Sequence, residues 1–170
     1  MKNIFYIAVL LLAFTSCEKQ AKIGFVDNGT LINDYQKKKD LEAKFQVKEQ
    51  AFRKKFDSIE NAFQMEAQKF QAEANKMAQT TAQQKYEQLS QQRQIIDQQK
   101  QIEGQQFQQE FQTEIDTLIV SVKKFVNDYG KKNGYTYILG TSDAAATILY
   151  GTKENDLTKV ILDDLNECCR

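Results

Sequence analysis

Apolar side chains recur every three or four residues from about residue 34 to residue 133, which is the spacing that places them on one face of a helix. The first half of this region carries an approximate heptad seam, made of Phe45, Phe52, Phe56, Ile59, Phe63, Phe70 and Met77. Glutamates interrupt the repeat at Glu49, Glu66 and Glu73, so we expect a thinly packed and bendable coiled coil. The second half ends on a cleaner pattern, where packing should be tightest: Phe111, Ile115, Leu118, Val122, Phe125 and Tyr129.

Short β-prone segments lie on both sides of this helical region. Residues 22–26 and 135–139 are rich in β-branched and aromatic side chains between turn-forming residues, and residues 146–150 form a third such run. Residues 157–167 follow good capping residues and have the pattern of a short amphipathic helix. We therefore predict an α+β fold in which a long antiparallel helical hairpin projects from a small sheet of three strands.

Composition and geometry both place the turn of the hairpin. If the first two strands share a sheet, the two helical arms have equal lengths and the reversal lies near Thr80 and Thr81. These β-branched residues, with Asn75 nearby, are the poorest helix formers of the region. Each arm would hold about 45 residues and extend about 68 Å. The predicted parts are a signal peptide (1–16), an anchor with the first strand and turn (17–33), the hairpin (34–133), and body strands with a C-terminal helix (134–170).

The N-terminus has the features of an export signal. Lys2 precedes an apolar run over residues 4–14 that ends in small residues, and the run is about half of the ~20 residues that a membrane-spanning helix needs. Cys17 follows directly, and residues 14–17 resemble a lipobox, with Phe14 where leucine is common. We predict a periplasmic lipoprotein anchored to a membrane through Cys17. An ordinary secretory leader with an incidental cysteine is the alternative, and palmitate labelling that is lost in Cys17→Ala would separate the two.

Glutamine dominates the middle of the chain, with 18 of 22 glutamines between Gln64 and Gln112. Disorder of low complexity is one reading of such a stretch. A helix with glutamine-rich outer faces is the preferred one, because apolar residues still punctuate the stretch at helical intervals, and no proline occurs anywhere in the chain.

Charge and cysteine content argue against several classes of function. The 23 basic and 23 acidic residues cancel, so nucleic acid is not an expected partner. The chain has no histidine, and Cys168 and Cys169 are adjacent, which suits neither a disulfide framework nor a zinc or Cys–His site. We therefore expect no cofactor, no metal and no enzymatic activity.

The flanking segments resemble the Skp (OmpH-like) family of periplasmic chaperones. At the N-terminus the similarity lies in residues 22–27 and in Leu31 and Ile32. At the C-terminus it covers residues 137–139, 148–150 and 156–158, and then Val160, Leu165 and Asn166. The middle is matched by its coiled-coil pattern alone.

This resemblance implies a homotrimer with a shared β-barrel body and three helical tentacles around a cavity. Unfolded outer-membrane proteins would be held there without ATP and kept from aggregating. A small body with unpaired strand edges is consistent with oligomerisation. The best-known members are strongly basic whereas this chain is neutral, which argues against electrostatic capture of clients.

Candidate client contacts are the apolar residues of the arms toward the tip, namely Phe63, Phe70, Met77, Tyr86, Ile95, Ile96 and Phe107. The alternative role for these residues, and the favoured one for Phe63 and Phe70, is packing in the seam between the arms. The lysine-rich runs 37–39 and 53–55 are read as solvated helix faces, with lipid binding as the alternative. A rival function is a structural coiled-coil lipoprotein that acts as an envelope spacer or scaffold.

Overall fold

The structure is a computed structural model that describes residues 20–142 and 145–168. The predicted signal peptide and Cys17 lie outside these residues, as does Cys169. The elements are β1 (Ile23–Asp27), α1 (Asn28–Asn33), α2 (Gln36–Glu73), α3 (Gln79–Lys132), β2 (Tyr137–Thr141) and α4 (Thr158–Cys168), with 3₁₀ turns at Ala74–Lys76 and Lys153–Asn155. The predicted combination of a long helical hairpin and a small sheet is confirmed.

The sheet of the described residues has two strands, β1 and β2, which are parallel and in register from Ile23 opposite Tyr137 to Asp27 opposite Thr141. Parallel neighbours require a long crossover connection, and the helical hairpin is that connection. Asp27 ends β1 and caps α1, because its Oδ1 accepts a hydrogen bond of 2.8 Å from the backbone N–H of Thr30. At the other end of the crossover, Gly134 takes a left-handed conformation with φ of 70° directly after α3.

The third predicted strand is wrong for this chain. Residues 145–150 form no strand, and the side chains of Leu149 and Tyr150 are 91% and 86% exposed. The free edge of β1 is occupied instead by the segment before α4, where Phe25 bridges to Asp156 and its carbonyl accepts a 2.8 Å hydrogen bond from the N–H of Leu157. Among the described residues, the strand edge that stays open is therefore the outer edge of β2.

The turn of the hairpin lies slightly before its predicted position. Helix α2 ends at Glu73, and the backbone is extended at Met77 and Ala78 before α3 begins. Thr80 and Thr81 belong to the first turn of α3, where residues that favour caps and turns are best tolerated because the backbone N–H groups there lack helical partners. The prediction of equal arms is also wrong, since α2 has 38 residues and α3 has 54. The chain bends at Asp34 and Tyr35, so that part of the first arm forms the separate helix α1.

The main hydrophobic core lies where α1, α4 and the last turns of α3 meet the sheet, and we call this part of the protein the body. Its buried side chains are Val26, Leu31, Tyr35, Leu118, Val122, Leu157, Ile161 and Leu165. Phe125 and Tyr129 pack against them, which confirms that the cleaner end of the second apolar pattern is the tightly packed one. The arms extend from this core as two antiparallel helices.

Candidate functional site

Aromatic side chains form the seam between the arms nearest the body. The Phe45 ring lies edge-on to the rings of Phe107 and Phe111, with centroids 5.5 and 5.0 Å apart. Further from the body along the same arm, the rings of Phe52 and Phe56 pack against each other with their centroids 4.8 Å apart, and Phe56 is 1% exposed. Because phenylalanine rings fill the seam here, most of their area is unavailable to a partner.

Five lysine–glutamate pairs cross the seam and fix the antiparallel alignment. Moving outward from the body, Lys44 pairs with Glu114 at 3.4 Å, and Lys48 pairs with Glu110. The remaining three pairs follow at 2.6 to 2.7 Å, and they join Lys55 to Glu103, Lys100 to Glu60 and Lys85 to Glu66. Three of the pairs are exposed and the other two are partly buried, so each contributes little to stability and mainly selects the register of the arms.

Four of these pairs also shift the pKa of the glutamate that takes part in them. Hydrogen bonds from the partner lysines lower the pKa of Glu60, Glu66, Glu103 and Glu110 below the ordinary glutamate value of 4.5. Glu66 was placed by sequence among the defects of the apolar seam, and the structure shows why it is tolerated there, since Lys85 of the other arm meets it. The glutamate is thus part of the contact between the arms.

The predicted client contacts divide into three groups by exposure. Ile96 is 8% exposed and packs inside the hairpin, so it is not available while the arms are closed. Tyr86 and Ile95 are each 62% exposed. The remaining four are half-buried, and they are Phe63, Phe70 and Phe107 on the helices of the arms and Met77 in the turn. Sequence periodicity identified apolar residues of the arms correctly but did not separate those facing the other arm from those facing outward.

Other exposed apolar residues of the arms were not predicted. They are Val47, Met65, Ile102 and Val120. Helical periodicity predicts the outward position of two of them. Val47 and Met65 each follow a seam phenylalanine by two residues, which is a rotation of about 200° around the helix. They therefore point away from the seam that Phe45 and Phe63 enter.

One outward surface of α3 combines apolar side chains with uncharged polar ones. Exposed positions at helical spacing on this side of α3 are Ile95, Gln98, Ile102, Gln106, Gln109 and Thr113, and we call them the glutamine face. The face carries no charged residue over about 27 Å of helix. It offers weak apolar contacts and amide groups that donate and accept hydrogen bonds.

Large apolar side chains are also exposed on the body. They cluster along the strands and the segment that follows β2, and comprise Ile23, Tyr137, Leu139, Leu149 and Tyr150. Of these, Tyr137 and Leu139 lie on β2, whose outer edge has no strand partner among the described residues. An apolar surface beside an open strand edge is a site for pairing with another chain.

The described residues contain no group of three or more His, Cys, Asp or Glu side chains placed to hold a metal ion. None of the helices in the described part of the chain combines the length and the apolar character needed to cross a membrane.

Comparison with models of known protein families identifies one family. The family model described as outer membrane protein (OmpH-like) matches residues 22–165. The structure is also similar to the 2.83 Å crystal structure of a protein from Caulobacter crescentus CB15 provisionally assigned as an OmpH-like outer membrane chaperone. The two share 11% identity with a TM-score of 0.78, over 88% of this chain and 86% of that chain, which shows a common fold. A search of curated proteins found no match.

Proposed function

The chain belongs to the OmpH-like family of outer membrane proteins, and from that premise we propose that it is a chaperone of the cell envelope. In this proposal it is an ATP-independent holdase of the periplasm. It binds unfolded outer-membrane proteins in a cavity between the helical hairpins of a trimer and prevents their aggregation.

The observation that carries this proposal is the surface chemistry of the arms. The glutamine face and exposed side chains such as Met65 and Tyr86 provide scattered apolar contacts on helices that stand outside the compact core. Strands of an outer-membrane barrel alternate apolar and polar residues. Weak contacts of both kinds, repeated along an arm, suit such a chain without requiring a particular sequence.

In a homotrimer, the hairpins of the three subunits would enclose a cavity. The open edge of β2 and the exposed Leu149 and Tyr150 support association through the body, because pairing there would bury them. Three hairpins would then project from one shared barrel. Sedimentation of the mature chain tests this step, and a stable monomer at micromolar concentration would contradict it.

The proposed location is the periplasmic side of a membrane, with a lipid on Cys17 as the anchor. The leader pattern supports this proposal. Metabolic labelling with palmitate should mark the protein and should fail to mark Cys17→Ala.

The holdase proposal is tested by light scattering of an outer-membrane protein diluted from urea. We expect suppression that saturates near one trimer per client and changes little with salt, since the chain has no net charge. The double variant Ile95→Gln/Ile102→Gln should suppress less, whereas the matched control Lys54→Gln, at an exposed position of α2, should behave as the parent. Unchanged scattering with the parent protein would instead favour a structural spacer or scaffold.

A further inference from the structure

The N-terminal segment enters the body at the end of α3 that is farthest from the turn of the hairpin. The Nζ of Lys22 donates a 3.0 Å hydrogen bond to the carbonyl of Asn133 and lies 4.0 Å from the centre of the Tyr135 ring. The carbonyl of Lys22 accepts a 2.8 Å hydrogen bond from the N–H of Thr136. We call this end of the protein, residues 20–23 and 131–137, the base.

The length of α3 separates the base from the turn. Its 54 residues correspond to about 81 Å of helix. Cys17 precedes Gln20 by three residues, which span at most about 11 Å when fully extended. A lipid on Cys17 would therefore enter a bilayer beside the base, far from the turn.

The base is positively charged. It contains three exposed lysines, Lys22, Lys131 and Lys132, and no carboxylate lies within its residues. Lys132 shares a groove with Asp164 and Glu167, which partly offset its charge. Lys131 interacts electrostatically with Asp128, although the ion pair of that carboxylate at 2.6 Å is with Lys124.

Aromatic residues accompany these lysines. Lys123 and Lys131 line one groove together with Tyr135 and Tyr137, and Tyr137 is 59% exposed. Lysines beside partly exposed tyrosines suit the headgroup layer of a bilayer, where the ammonium meets phosphate and the phenol ring spans the polar boundary.

We propose that the base is a membrane-facing surface that rests on anionic phospholipid headgroups, so that the arms point away from the membrane that carries the anchor. The proposal rests on the lipid anchor at Cys17 given under the proposed function. The anchor supplies attachment, and the lysines of the base set the orientation. The cavity between the three hairpins of a trimer would then open toward clients that approach from the side opposite the membrane.

The experiment measures energy transfer from the lipidated full chain to headgroup-labelled lipid in vesicles of phosphatidylethanolamine and phosphatidylglycerol. One donor fluorophore is placed at the turn through Ala78→Cys and another at the base through Thr136→Cys, each in a background of Cys168→Ser and Cys169→Ser. We expect strong transfer from the base and almost none from the turn. Equal transfer from both positions, or stronger transfer from the turn, would overturn the proposal.

Charge variants test the role of the lysines in the same assay. In Lys22→Gln/Lys131→Gln each neutralised lysine should weaken contact of the base with anionic lipid about five-fold, so transfer from the base falls relative to transfer from the turn. The control Lys37→Gln/Lys54→Gln removes two exposed lysines of α2 and should leave the ratio unchanged. Equal effects of the two double variants would contradict a specific role of the base.

The energy-transfer measurements report the orientation on the membrane and do not depend on chaperone activity. A chain that stands on the membrane as expected but leaves client scattering unchanged would disprove the holdase and keep the orientation. A chain that suppresses aggregation yet does not attach to vesicles would disprove the anchor and with it the orientation, and would keep the holdase.

Discussion

The body and the tip half of the arms differ in how their apolar residues are used. In the body, Leu31, Ile161 and Leu165 are at most 2% exposed and meet in one cluster, although they come from distant parts of the sequence. From Phe56 outward, the buried hydrophobic residues of the described chain are Leu89 and Ile96, among half-buried rings and glutamines. The body is therefore held by one specific core, whereas the arms are held by spaced contacts that can open one at a time.

The largest effect is expected in the core of the body. Ile161→Ala removes a side chain with no exposed area, and a cavity there should cost about 2–5 kcal/mol of unfolding free energy. Urea denaturation at a fixed protein concentration measures it. Lys159→Ala, two residues away and exposed, is the control and should change little. A small effect of Ile161→Ala would mean that the body is not the cooperative unit.

A truncation in the seam should act locally. Phe56→Ala leaves a space between the arms, so amide exchange should accelerate in the neighbouring parts of α2 and α3 while α4 keeps its protection. The control is Asn61→Ala, an exposed position of α2. Equal acceleration in α4 would show that arms and body unfold together and would remove the contrast between them.

Acid should loosen the arms before the body. Four glutamates of the pairs between the arms have a lowered pKa, so the stability they contribute is present above the ordinary value of 4.5 and is lost as the pH falls through their lower folded values. In the body, the lowered pKa of Asp128 reflects a lysine of the same helix, so its protonation breaks no contact between elements. Amide exchange followed from pH 6 to pH 3 should show protection lost first in the arms. Simultaneous loss in α4 would contradict this order.

The smallest effect on stability is expected on the outer surface of the arms. Ile95→Ala and Tyr86→Ala change side chains that are mostly exposed, so unfolding free energy should stay within about 0.5 kcal/mol of the parent. Suppression of client aggregation should nevertheless weaken. Ile96→Ala is the matched comparison, because it lies next to Ile95 but faces the seam and should affect stability more than client binding.

The heptad-like spacing of apolar residues was sufficient to predict both arms, because helical periodicity is a local property of the chain. The first strand, the second strand and the last helix were each placed within two residues. The turn lies a few residues before the predicted Thr80 and Thr81, because these poor helix formers are accommodated in the first turn of a helix. The third strand was wrong because a β-prone run forms a strand only where it pairs with a neighbour: residues before α4 occupy the edge of β1, and residues 145–150 do not pair with β2.

The sequence by itself determined that a long glutamine-rich helical hairpin connects short β-prone segments, since both patterns depend on neighbours a few residues apart. Only the tertiary structure decided which apolar residues remain outside, because Ile95 and Ile96 are adjacent in the chain and differ only in the side of α3 they occupy. It also decided that the chain enters the body opposite the turn, since that depends on β1 pairing with a strand more than a hundred residues away.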